Sequence, residues 1–274
     1  MPHTNTVFRD ILKLLPWPAF ERLVEKHGTD ELVRSFTTKR QLLALLFGQL
    51  SGAHSLRDIE ASMSSHQARL YHAGGAAPAR STFADANRGR DSRVFSGLFA
   101  HMLGMTTRGL RRKMGDAVRL IDSTGLRLAG AGAKWARFSA EVCGAKAHVV
   151  YDPDLGCPIY HMITEATVND IVAAKTIPIE TGATYVFDPA ITTMAGGPHW
   201  PLRDAVRIQI AVALIAFLLL SLLRKMAQDQ QTLLETTRLV RTNLMHRKDF
   251  TSLKQPQKPQ PLDSQQLSLN WSSA

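Results

Sequence analysis

A chain of 274 residues with 45% hydrophobic content can bury the core of one large domain or two modest ones, which excludes a disordered polymer. Lysine and arginine outnumber aspartate and glutamate by 33 to 23, and the net charge of +10 points to a polyanionic partner, nucleic acid before an anionic membrane surface. Two cysteines, Cys143 and Cys157, are too few for a disulfide framework, and residues 1–15 carry Arg9, Asp10 and Lys13 where an export signal needs an unbroken apolar stretch, so a cytoplasmic, nucleoid-associated location is expected.

Phe8, Ile11, Leu12 and Leu15 recur at helical spacing until Pro16 and Pro18 break the pattern. Ser35 or Thr37 then caps a helix over 39–50, whose Leu42, Leu43, Leu45, Leu46 and Leu50 are expected to face a core. Another helix starts at Ser55 with Asp58 in its first turn, and the flexible stretch 74–78 ends the region. Residues 1–78 are therefore expected to form a helical N-terminal DNA-binding domain.

A basic helical connector follows over 79–117. Between Arg80 and Arg119 stand nine basic residues against three acidic ones, Asp85, Asp91 and Asp116. Guanidinium groups at this density suit phosphate contacts, so Arg80, Arg88, Arg90, Arg93, Arg111, Arg112 and Lys113 are candidate DNA-binding residues. A solvated helix face with charges balanced elsewhere has the same composition.

From Val118 the period changes to that of strands. Val118, Leu120 and Ile121 lead into Asp122, Ser123 and Thr124, and 145–151 and 158–164 read as a hairpin around a turn over 152–156. Asn169 and Asp170 start a short helix, and 184–187 is a fourth strand running into Asp188. Strand, hairpin, helix, strand is the order in which a ribonuclease-H-like sheet begins. The expected fold is thus α/β, a truncated ribonuclease-H-like core over 118–250 behind a helical N-terminal domain. A tail over 251–274, rich in Gln, Pro and Ser, is expected to be disordered.

Asp122 and Asp188 each follow three or four strand residues, and the carboxyl ends of neighbouring strands form the crevice where ligands bind in open sheets. Carboxylate oxygens suit a hard ion such as Mg²⁺ or Mn²⁺, and phosphodiester cleavage uses two such ions about 4 Å apart. An aspartate at a strand end also forms turns, so spacing alone leaves both readings open.

The segments Ile121-Asp122-Ser123-Thr124, Trp135-Ala136-Arg137-Phe138, Lys146-Ala147-His148, Ala166-Thr167-Val168-Asn169-Asp170-Ile171 and Tyr185-Val186-Phe187-Asp188 come in the order seen in bacterial DDE transposases of the insertion-sequence-four type, which the chain resembles. The stretches 80–87, 205–213 and 238–247 look like further parts of the same group. The resemblance implies metal-dependent DNA cleavage and strand transfer, with Asp122 and Asp188 as the first two members of a metal-binding triad. It also implies duplex DNA at transposon terminal inverted repeats as the partner, other transposase copies as homo- or hetero-oligomer partners, and no membrane partner.

The third carboxylate of that triad is missing. The family carries it in a signature of tyrosine, two residues, arginine, three residues, glutamate, six residues and lysine. Glu235 is the only glutamate after Glu180, and Gln228, Gln231 and Thr242 stand where tyrosine, arginine and lysine belong. The resemblance therefore implies an internal deletion after Asp188, weak metal binding and impaired catalysis. The alternative is a non-catalytic DNA-binding remnant that inhibits an intact transposase.

Other constellations carry less. Cys143, His148, Cys157 and His161 superficially suggest zinc, yet they lie along two strands that need not bring them together. Gly130, Gly132 and Lys134 lack the spacing of a phosphate-binding loop. The unbroken apolar run 210–220 is shorter than the roughly 20 residues of a membrane span and is expected to be a buried helix packed against the sheet.

Overall fold

The computed structural model describes residues 6–107, 118–128, 143–153, 156–178, 184–187, 203–228, 231–246 and 250. The sequence-predicted sites Asp188, Arg111, Arg112 and Lys113, the glycines of 130–132 with Lys134, and the tail over 251–274 lie outside these residues.

Local capping chemistry starts the first helices. Thr6 accepts the Arg9 N–H at 3.2 Å and opens α1 (Val7–Leu12), while Pro16 precedes α2 (Trp17–Lys26) and Pro18 sits in its first turn. Thr37 accepts the Arg40 N–H at 3.3 Å and opens α3 (Thr38–Ser51), which Gly52 ends at φ +77°, a conformation glycine adopts without steric cost. Ser55 caps α4 (Leu56–Ser65) through the Asp58 N–H at 3.1 Å, and the short α5 (Gln67–Leu70) follows. Next come α6 (Arg80–Gly89) and α7 (Arg93–Thr107).

Helix α3 is buried nearly all round, from Leu42 through Phe47 to Leu50, as a helix at the centre of a core must be. The five leucines expected to face a core are all buried.

The sheet is built from β1 (Val118–Leu128), β2 (Cys143–Asp152), β3 (Cys157–Glu165) and β4 (Thr184–Phe187), with α8 (Asp170–Ala174) between the last two. Its strand order is β3-β2-β1-β4. β2 is antiparallel to both β1 and β3, whereas β4 lies parallel to β1, from Val118 opposite Thr184 to Ile121 opposite Phe187. A parallel pair needs a crossover connection, and the segment containing α8 supplies it.

After the sheet the chain returns to the helices. The long α9 (Arg203–Met226) and then α10 (Leu233–Asn243) join the hydrophobic cluster of α1–α7, where Ile208, Val212, Ile215 and Leu219 are fully buried beside Leu42, Phe47, Phe95 and Leu98. The segment Asp204–Met226 has the length and composition to cross a membrane, yet its apolar face fills this core. The helix expected to pack against the sheet packs instead mainly against α3, α6, α7 and α10. Among the described residues, Val206 and Ile210, near its start, join the small apolar cluster of Ala145 and Ile163 on the sheet, and Cys157 and Ile159 of β3 border the helical core. The physical reason is that the run 210–220 is apolar on every side, so contact on one face is not enough and several helices enclose it. Backbone bonds from Val7 N–H to the His246 carbonyl and from Phe8 N–H to the Leu244 carbonyl tie α1 to the end of α10.

Candidate carboxylate strand and nucleic-acid interface

Asp122 was expected at a strand end. It lies within β1, opposite Val149 of β2, and the strand continues to Leu128. Ser123 and Thr124, residues common in turns, are held extended by pairing with His148 and Ala147, so cross-strand partners outweigh local preference here. The Asp122 side chain is exposed, and its Oδ1 accepts the Ser123 N–H at 2.8 Å. On the other side of β1, Phe187 ends β4 opposite Ile121. The first position after β4 in the chain belongs to Asp188.

Arg119, counted from sequence among the basic residues, is buried and pairs with buried Asp152 at 2.9 Å, which fixes the start of β1 to the end of β2. Sequence reading placed Asp152 in the hairpin turn and gave no sign of this partner. Histidines 148 and 161 sit opposite Met162 and Val149 respectively, so alternation sends them to opposite faces of the sheet and no single ion spans them. His148 Nε2 lies 2.8 Å from Thr164 Oγ1. His161 stacks edge-on against Phe99 at 5.1 Å, and burial pushes its imidazole down from 6.5 to about 4. Burial, with the nearby Asp152 carboxylate adding to it, pushes the Cys157 thiol up to about 11, as befits an inert core cysteine.

Glu235, the last glutamate, has a structural task. It is the third residue of α10, where its Oε2 accepts the Thr232 N–H at 2.8 Å while Thr232 Oγ1 accepts the Glu235 N–H at 3.3 Å. This reciprocal pair is a capping box.

The arginines of the basic segment separate into distinct environments. Arg90 was expected on the DNA, but it is 8% exposed: its Nη1 donates to Gln41 Oε1 at 2.9 Å, and its Nη2 donates to the Phe36 carbonyl and lies 3.7 Å from Asp30. Burying a guanidinium demands such partners, and a group so engaged is unavailable to phosphate. Arg93 is exposed and holds Asp91 through Nε at 2.8 Å and Nη2 at 2.5 Å, and these bonds keep the Asp91 carboxyl below its usual value. Arg80 and Arg88 do share a surface. With Arg57, Ser55, Asp58, Ser81 and Asp85 they line an open groove of about 910 Å³ between the first turn of α4 and one face of α6.

Comparison with known proteins adds what geometry alone does not. Residues 113–197 match the transposase DDE domain family, and residues 3–76 match a domain of unknown function, DUF4372. Over 111 residues the chain is 45% identical to the Sinorhizobium fredii protein named "Putative transposase y4zB", an alignment covering 40% of this chain. These matches support a transposase. The chain spans about a third of the length of that relative, since the alignment covers 31% of it. The transposase match contains all four strands of the sheet and the positions of both aspartates, and it stops before α9 begins. No solved structure matches the chain.

Proposed function

We propose that the chain is a DNA transposase of the insertion-sequence-four type whose ribonuclease-H-like core has lost an internal block, leaving DNA binding intact and cleavage impaired. The observation that carries this reading is the parallel register of β1 and β4. Ile121 faces Phe187, and the next residue on each strand's path is an aspartate, Asp122 and Asp188. The end of the family match at residue 197, with α9 already part of the helical core, suits a deletion after Asp188.

Divalent metal is the cofactor the family uses, and here the donor set falls short of a two-ion site. Among the described residues no three His, Cys, Asp or Glu side chains converge. Asp188 raises the carboxylates to two, and Glu235 is engaged in the capping box of α10. Asp122 and Asp188 are the residues that would hold Mg²⁺ or Mn²⁺, weakly for want of a third carboxylate, and we assign no cleavage step to the ion. A completed helical core beside an incomplete carboxylate set favours a second reading, a DNA-binding remnant that occupies terminal inverted repeats or pairs with an intact transposase and inhibits it.

Binding of duplex DNA, taken from the sequence flanking the gene on either side, tests the shared part of both readings. Affinity is expected to fall steeply with salt, and alanine at Arg111, Arg112 and Lys113 together should reduce the log–log slope by about 2–3. Absence of affinity at low salt, or a slope untouched by the triple substitution, overturns the reading of that segment as a phosphate clamp.

A further inference from the structure

The groove between α4 and α6 holds more than phosphate-binding charge. Helix α6 turns Phe83 and Asn87 inward: Phe83 packs edge-on against Phe36 with ring centres 5.6 Å apart, and Asn87 Oδ1 accepts from buried Gln41 Nε2 at 2.6 Å. These contacts lock the rotation of the helix about its axis. The opposite side presents Ser81, Thr82, Asp85 and Arg88, all exposed. Arg88 and Asp85 are 3.3 Å apart, one turn from each other, so each restrains the other's side chain at the surface.

Asp58 and Asp85 line this groove beside the arginines, and because a carboxylate repels phosphate, the surface is not made for the phosphate backbone alone. The same four residue types are the ones that read base edges. Arginine donates to guanine O6 and N7, aspartate accepts from the cytosine amino group, and serine or threonine pairs with several bases. An α-helix with its side chains is about 10–12 Å across and the major groove is about 12 Å wide, so the ten-residue α6 has the cross-section to enter it. Arg57 at the start of α4 and Arg80 at the start of α6 line the same groove, and exposed guanidinium groups beside a base-reading helix suit phosphate contacts.

We propose that α6 is the base-reading helix of this chain, entering the major groove of duplex DNA with Ser81, Thr82, Asp85 and Arg88 toward the bases and with Arg57 and Arg80 on the backbone. The assignment rests on the DNA-binding reading above and deepens it by naming the residues that select sequence.

The test is selection of bound duplexes from a randomised pool, with the full chain as wild type, Arg88→Gln, Asp85→Asn and Arg80→Ala. The substituted side chains are exposed, and far-ultraviolet circular dichroism verifies that each variant retains the helical fold. Wild type is expected to enrich one motif. R88Q and D85N should each lose preference at one or two positions, by roughly tenfold for the favoured base, whereas R80A should weaken binding to all sequences alike. If R88Q and D85N enrich the wild-type motif at wild-type strength, or if wild type enriches none while still binding, α6 does not read bases and the DNA-binding reading stands without it. If the wild-type chain retains no duplex even at low salt, both fall together.

Discussion

The Arg90 guanidinium donates to Gln41 Oε1 at 2.9 Å inside the helical core, and Gln41 in turn donates to Asn87 at 2.6 Å. This chain of buried polar groups joins α3 to the end of α6, and it makes Arg90 a structural residue within a segment whose charge suggests DNA contact. Arg90→Ala leaves the Gln41 oxygen and the Phe36 carbonyl without their donor, which costs about 3 kcal/mol. Urea unfolding should report that loss. A variant as stable as wild type but unable to bind DNA would return Arg90 to the interface.

Helix α9 closes the helical core, so the N-terminal helices depend on residues more than a hundred positions later. Leu219 is fully buried, and Leu219→Ala should destabilise the chain by about 2–5 kcal/mol. A fragment of residues 1–120 should lack cooperative unfolding, because the cavity left by Ile208, Val212, Ile215 and Leu219 opens its core to water. A fragment that unfolds cooperatively at wild-type denaturant concentration would show that these contacts are dispensable.

His161 makes stability depend on pH in a direction its environment fixes. Its folded value of about 4 lies below the unfolded 6.5, so the unfolded chain binds the proton first. The neutral ring's contribution is complete above pH 6.5 and is lost as pH falls toward 4. Between pH 7 and pH 5 this one group should remove about 2 kcal/mol of stability. His161→Phe keeps an aromatic partner for Phe99 and should lose about that much less over the same interval, read from denaturant midpoints. Equal losses in the two proteins would mean that His161 is solvated.

The features legible in the sequence are those with local causes. Thr37 and Ser55 announce their helices because a cap acts within three residues, and the antiparallel pair β2 and β3 declares itself by the composition between its strands. The short helix at Asp170 and the strand at Thr184 follow from the same local chemistry. What escaped the sequence depends on distant partners. Asp122 looks like a strand end until β2 pairs beyond it, Arg90 looks like a surface cation until Gln41 and Phe36 surround it, and α9 offers no clue that its partners are the first helices of the chain. The groove on α6 was half legible: Arg80 and Arg88 stood out by charge, but the helix face that adds Asp85 and brings in Arg57 needed three dimensions.

The proposed reading, a transposase that binds DNA without cutting it, is tested most directly by a cleavage assay. Labelled duplex carrying the terminal inverted repeats is incubated with the full chain and Mg²⁺ or Mn²⁺, and strand breaks are read on a denaturing gel. With two carboxylates in place of three and Glu235 engaged in capping α10, the expected result is bound DNA and no breaks above background. Efficient cutting that disappears in Asp122→Ala and also in Glu235→Ala, with both variants still folded, would contradict the account and make Glu235 the third metal ligand.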